Sequence, residues 1–417
     1  MDQTDHPRLR PLHPQKAWHD ERPHVRFLDP AGYVSPDLLV PIDFYNHVLR
    51  HCDGQTSPRE IQARALRSSG QLITADRLTQ ILDQLEQAMV LDGPTYRAAA
   101  DEYAQQQTRP AAFAGRSYPA SERALTARLA SYFTAGAGTP EPPETQTLAT
   151  DTRSTLRAIL SPHIDFERGG PVYSWAYREL AERSDAEVFV ILGVAHQPCA
   201  RRFVLTYKDF ATPLGTTLTD RAYVRAIADA SDRAYFDDEA VHRLEHSIEF
   251  QAVFLRHALG ERADQVRIVP ILVGSFHDLM TRGIDPITEP EVARFVTALR
   301  TAEHSSRRKV AYIGGIDLSH VGPEFGDPVP TDAQFLDEVR AQDSAILAHA
   351  AQGDARGWFA RTAAVSDRFR VCGLAATYTL LHAAGPVSGS LLRYEQACDP
   401  AGQACVSFAS VALDSSR

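Results

Sequence analysis

Four histidines in this 417-residue chain each stand a few residues past a short apolar run. His163 follows Ala158-Ile159-Leu160, His196 follows the run VFVIL (188–192), His277 follows VRIVPILV (266–273), and His320 follows VAYI (310–313). A neutral imidazole binds metal ions, and its pKa near neutrality also suits it to proton transfer. The chain holds only 16 histidines, so four in equivalent places point to one shared site. A further cluster, His242-Arg243-Leu244-Glu245-His246, fits the H-x-x-E-H pattern of inverted zinc peptidases. On one helix, His242 and His246 would share a face, with Glu245 placed to activate a water.

The elements that must carry these histidines follow from the same runs. Each has strand length, is rich in β-branched residues, and lies between amphipathic stretches of helical period. That is the pattern of parallel strands covered on both faces. The expected fold is therefore α/β, a three-layer sandwich with a mostly parallel central sheet. Ligands of such sheets bind beyond the carboxyl ends of the strands, where the histidines fall.

The chain before residue 108 reads differently. Ser57-Pro58-Arg59-Glu60 is a capping box with proline at the first helical position. Leu78, Ile81, Leu82, Leu85 and Met89 keep helical spacing behind Thr74 as cap, and 90–93 suits a short strand and turn. This predicts a small winged-helix-like domain over 1–108, closed by the polar stretch DEYAQQQTRP (101–110), and an α/β domain over 109–417. A segment rich in Pro, Gly and Thr, 134–152, reads as a surface loop.

Composition narrows the function classes. A net charge of −10 argues against a general nucleic-acid partner, since little here would neutralise phosphates. No stretch reaches about 18 uninterrupted apolar residues, and the N-terminus lacks a signal-like apolar core, so no membrane role and a cytoplasmic location are expected. Five scattered cysteines fit a reducing compartment better than a disulfide framework. Cys398 and Cys405, flanking the turn Asp399-Pro400-Ala401-Gly402, and Cys199, three residues past His196, are read as incidental. No G-x-S-x-G elbow or Walker-type loop is present.

Nine segments, in order, then carry a specific likeness: AGRSYP (114–119), SPHIDFERGGPVYSWAYREL (161–180), VILGVAHQ (190–197), ATPLGTTLTDR (211–221), EHSIEFQAVFL (245–255), VPILVG (269–274), DLSHVG (317–322), CG (372–373) and YEQACDPAG (394–402). Residues 110–415 resemble the Memo family, called protein B of the AmmeMemoRadiSam set in bacteria, whose fold is similar to that of the class III extradiol dioxygenases. The resemblance implies one redox-active metal ion, copper or iron(II), held by two histidines and a cysteine. By position these are His163, His196 and Cys372, with Asp317 and His320 lining the same pocket. The chemistry agrees, because imidazole suits copper, iron and zinc while thiolate favours copper or zinc. Three protein ligands also leave positions open for dioxygen or substrate.

Asp317 is expected to fix a ligand histidine's tautomer, and His320 to act as general base. If they are not a peptidase motif, Glu245, His246 and Glu249 are expected either to form a hydrogen-bonded wall of the pocket or simply to structure its rim. Departures from the family pattern are Ile164-Asp165-Phe166 after His163, which brings a carboxylate near the metal, Val194-Ala195 before His196, Gly314-Gly315-Ile316 before Asp317, and Leu374-Ala375-Ala376 after Cys372-Gly373, which lacks an arginine often found there. The order DG-x-T-S-x-x-E-I (53–61), then a helix ending L-x-x-A-M-V-L-D-G (85–93), resembles the PqqD-like peptide-binding domains over about residues 25–95. The resemblance implies a peptide-docking module, with a purely structural appendage as the alternative. The resulting expectation is a metal-dependent redox enzyme that oxidises a peptide or small organic substrate with dioxygen. A non-catalytic metal- or peptide-binding protein, and a zinc hydrolase using His242, Glu245 and His246, stand as alternatives.

Overall fold

A computed structural model describes residues 6–134 and 155–416, so residues 135–152 of the expected surface loop lie outside the described residues. The chain divides into two compact units, Met1–Gln106 and Gln107–Arg417.

The first unit opens with an antiparallel sheet of β1 (His13–His19), β2 (Arg22–Leu28) and β3 (Leu39–Pro41). Four helices follow: α1 (Ile42–His47), α2 (Pro58–Ser69), α3 (Ala75–Gln87) and α4 (Pro94–Gln105). The capping box before α2 forms as its residues predict. Ser57 accepts from the Glu60 amide, and the Glu60 carboxylate accepts from the Ser57 amide at 3.0 Å. Thr74 likewise caps α3, whose Leu78, Leu82 and Leu85 pack with Val25, Phe27 and Ile61. The strand expected at 90–93 is reduced to one bridge between Leu9 and Leu91. Residues 101–105, read as part of a polar boundary, are the last turns of α4, anchored by the buried Tyr103.

The second unit begins with β4 (Thr108–Arg109) and α5 (Glu122–Thr134), then β5 (Leu156–Ser161), α6 (Phe166–Arg183) and β6 (Val188–Val194). Short strands β7 (Phe203–Leu205), β8 (Asp209–Thr212) and β9 (Gly215–Thr217) lead into α7 (Arg221–Ala230) and α8 (His246–Leu259). Next come β10 (Arg267–Val273), α9 (His277–Thr281), α10 (Pro290–Ser306), β11 (Val310–Gly315) and β12 (His320–Val321). Helices α11 (Ala333–Ala351), α12 (Ala355–Ala363) and α13 (Leu374–Ala384) precede a closing hairpin of β13 (Val387–Cys398) and β14 (Cys405–Ser415).

The central sheet runs β12-β14-β5-β11-β6-β10-β7, with β13 paired to β14. Strands β5, β11, β6 and β10 are parallel, and Ile313 of β11 lies opposite Ile159 and Ile191. The flanking β14 and β7 run antiparallel, so the sheet is mixed around a parallel centre. Alternate residues of the central strands face opposite ways, as strand geometry requires. Ile159, Phe189, Ile191 and Ile313 pack against α5, α6 and α8, while Leu160, Val190, Leu192 and Tyr312 pack against α7, α10 and α13. Three layers result.

Two glycines let α8 approach this sheet. A Cβ on Gly193 would stand 2.5 Å from the Ser247 hydroxyl, and one on Gly315 would stand 2.5 Å from the Ser247 carbonyl. The hairpin overturns one expectation about cysteine. Cys398 and Cys405 are register partners across the β13–β14 turn and are joined by a disulfide, while Cys52, Cys199 and Cys372 are free. Among the described residues, no helix is long and apolar enough to cross a membrane.

Candidate metal centre

Three neighbouring parallel strands deliver polar residues to one edge of the sheet. His163 comes two residues after β5, His196 two after β6, and Asp317 two after β11, which lies between them. Cys372 arrives from elsewhere, just ahead of α13. Its amide donates to the Leu318 carbonyl at 3.0 Å, and the Gly373 amide donates to the Asp317 carbonyl at 2.8 Å. Only glycine fits beside it, because a Cβ on Gly373 would come within 2.8 Å of that carbonyl oxygen.

The Cys372 sulfur lies 3.4 Å from Nε2 of His163 and 3.4 Å from Nε2 of His196. A third imidazole joins them. His246, the first residue of α8, stacks on His196 with ring centres 4.7 Å apart and meets the His163 ring edge-on at 5.2 Å. One nitrogen from each of His163, His196 and His246 lies within 4.8 Å of the others, so the three could hold one metal ion.

The other nitrogens are already engaged. His163 Nδ1 donates to the Gly315 carbonyl at 2.9 Å, which leaves Nε2 as its lone-pair nitrogen. His196 Nδ1 lies 3.0 Å from the Glu245 carboxylate, and His246 Nδ1 lies 3.2 Å from the same group. Glu245 also accepts from the backbone amides of His196 and Ser247, at 3.1 and 3.0 Å. Burial alone would push this carboxyl up, but His196 and His246 outweigh it and hold it well below the usual range.

The same neighbours tune the rings. Burial, then the adjoining imidazoles His196 and His246, draw the pKa of His163 well below its ordinary value. Burial also lowers His246 to about 4, against the pull of Glu245. Desolvation acts downward on His196 too, yet the Glu245 carboxylate and Cys372 hold that ring well above its ordinary value. Burial raises the Cys372 thiol, with His196 opposing the shift.

Asp317 is 2% exposed and accepts the amides of His163 and Ile164 on one oxygen, at 3.0 and 3.2 Å. Its other oxygen lies 3.5 Å from His163 Nε2. The Gly315 carbonyl therefore sets the tautomer of His163, a task expected of Asp317. Burial pushes the Asp317 carboxyl up to about 7, with the two amides opposing.

Other expected residues fall elsewhere. His320 packs on Phe325 at 5.1 Å, with Nδ1 donating to the Leu318 carbonyl at 3.2 Å, beside the imidazole cluster rather than in it. Burial, with a smaller repulsion from His196, lowers its pKa to about 4. His277 is exposed at the start of α9 and lines a pocket that also reaches His196 and Cys372. Asp165 caps α6 through the Arg168 amide and pairs with the Arg168 side chain at 2.6 Å. The Cys199 sulfur contacts the Gln197 carbonyl at 3.3 Å, and burial pushes its thiol up to about 12.

The H-x-x-E-H helix does not form. His242 belongs to a 3-10 turn (Glu239–Leu244), Glu245 is an extended N-cap, and only His246 enters α8. The His242 ring is buried, donates Nε2–H to the Val204 carbonyl at 3.1 Å and sits edge-on to Phe210, so it shares no metal face with His246. Glu249 is no pocket wall either. It pairs with the fully buried Arg109 and accepts from Tyr118 and the amides of Ala112 and Phe113. Arg109 also donates to the carbonyls of His242 and Glu245, and so fixes the turn that presents Glu245. Sequence reasoning missed Arg109, the Gly315 carbonyl and the place of His246 among the donors.

A family model described as Memo-like protein matches residues 109–412. A MEMO1 family protein of Methanopyrus kandleri is 30% identical over 301 residues, covering 70% of this chain and 94% of its own. MEMO1 family proteins of Thermus thermophilus and Aquifex aeolicus are 26% and 25% identical, covering 71% and 76% of this chain and 80% and 81% of theirs. The match takes in the parallel strands β5, β6, β10 and β11 and every residue of the imidazole cluster, and the chain belongs to the Memo family.

Proposed function

We propose that the second unit is a mononuclear metal-dependent redox enzyme, with His163, His196 and Cys372 holding copper or iron(II), and that it oxidises a small organic or peptide substrate with dioxygen. One observation carries this. A thiol and two imidazole nitrogens from distant parts of the chain meet at 3.4 Å, while a carbonyl and a carboxylate engage the opposite ring nitrogens. That donor set fits copper or iron, and sulfur leans it toward copper. Such an ion, when bound, supplies redox or Lewis-acid chemistry at an open position.

The remaining work belongs to the protein. Glu245 holds His196 and His246 in one orientation, and His246 stands as a fourth donor on the same wall. Asp317, held near neutrality, can keep or release a proton at the oxygen that faces His163. His163 and Asp317 are 1% and 2% exposed, whereas the His196 and His246 side chains are 33% and 29% exposed, so a substrate enters past those two rings.

Elemental analysis after anaerobic reconstitution tests the ligands. The wild-type chain should retain one copper or iron, and His163→Ala and Cys372→Ser should each weaken retention more than about 100-fold, beyond what outer contacts cost. Undiminished metal in the double variant would refute the assignment. Oxygen uptake on candidate substrates by the loaded protein tests the redox part.

A further inference from the structure

A pocket of about 240 Å³ opens beside the cluster, with His196 and Cys372 in its wall. Val194, Val273, Phe276 and Leu374 give it an apolar lining, and Asp367 is the only carboxylate among its lining residues. Asp367 has no ion-pair partner within 4.0 Å among the described residues. One of its oxygens accepts the Val371 amide at 2.8 Å, which leaves most of its acceptor capacity unused. Burial raises its carboxyl, and that one amide bond, His277 and Arg370 oppose the shift only in part.

The two cations nearby are not available in the same way. Arg370 grips Asp327 with two hydrogen bonds of 2.7 and 3.2 Å and also donates to the His320 carbonyl at 2.9 Å. His277 stands exposed at the rim. The backbone that presents Asp367 is itself unusual. Ser366, Asp367 and Arg370 adopt φ of 51°, 48° and 54°, so three non-glycine residues out of five are left-handed just before Cys372. Strain of this kind persists where the fold over-determines it, and it gathers at ligand sites.

A half-buried carboxylate held by one amide gains most from a cationic donor, whose charge-assisted bond is about twice as strong as a neutral one. We propose that this pocket binds a small primary amine, its ammonium on Asp367 and its apolar body laid along Val273, Phe276 and Leu374 toward His196 and Cys372. The inference names the substrate class of the proposed metal centre and rests on that reading only for which end of the ligand reacts. The binding itself requires no metal.

Calorimetric titration of the metal-free full chain with phenethylamine and with 3-phenylpropanoate decides it. The amine should bind at least about tenfold tighter than the carboxylate, because the two share a body and differ in charge. Asp367→Asn should erase that preference, and Ala375→Phe, which fills the pocket, should weaken both ligands. Equal or tighter carboxylate binding, or an amine affinity unchanged in Asp367→Asn, would overturn the proposal. Should Asp367→Asn fail to fold, the comparison on the unaltered chain still decides. Cobalt(II) loading separates the two readings. A failed metal centre shows no cobalt absorption sensitive to His163→Ala, yet the amine titration stays readable.

Discussion

Glu245 and Glu249 lie one helical turn apart at the start of α8, and burial strips water from both, at 3% and 0% exposure. Their partners differ in kind. Glu249 meets a guanidinium, a phenol and two backbone amides, so its lone pairs are consumed and its neighbours have nothing further to offer. Glu245 meets two imidazoles, each with a second nitrogen on the far side of the ring. A buried carboxylate closed by arginine locks a fold, whereas one closed by histidines orients donors toward something else.

The sharpest way to break this contrast is Glu249→Ala. It strands the Arg109 charge in the interior and should cost about 3–5 kcal/mol in denaturant unfolding. The fraction that stays folded should bind metal with little change. A loss below about 1 kcal/mol would mean that water or another acid reaches Arg109, and the lock would lose its meaning.

Glu245→Gln should do the reverse. Loss of the charged acceptor behind His196 and His246 should weaken metal affinity about 10- to 100-fold, as outer partners of ligand histidines generally do. Its effect on unfolding should be the smaller of the two. Competition against a chelator of known strength reads the first quantity, and the same denaturant series reads the second.

The smallest effect on metal is expected at His242. His242→Gln removes a ring that only donates to the Val204 carbonyl and packs on Phe210, so metal affinity should stay within about twofold. Stability should fall by roughly 1–3 kcal/mol from the bond and the packing. Metal lost in this variant, with His196→Ala still loaded, would return the peptidase motif to consideration.

Much of this arrangement was legible beforehand. Strands covered on both faces leave apolar runs, and a histidine after such a run has a defined place at the sheet edge. His163 and His196 were therefore readable from the residues, and Cys372 through the family likeness. Strand β1 left no such trace, because six of the seven residues in HPQKAWH are exposed and lack an apolar alternation. The motif at 242–246 misled because spacing alone cannot register that the chain changes from a 3-10 turn to an α-helix at Glu245, whose backbone is extended (φ −96°, ψ 127°). Arg109 gave no local signal, since apart from the neighbouring Pro110 carbonyl its partners lie 133 to 140 residues away. A carbonyl such as that of Gly315 has no side-chain signature. The glycines at 314–315, read as a departure, answer a steric demand from Ser247 and Leu160.

The sulfur of Cys372 reaches partners 209 and 176 positions earlier in the chain. A cation gripped there would act as a staple across two very long loops, closing them only after β5, β6 and the approach to α13 have found their register. A half-formed molecule offers no such grip, so uptake of the ion would report that assembly is complete. Ion present at 100 times its dissociation constant would add about 2.7 kcal/mol to the native state.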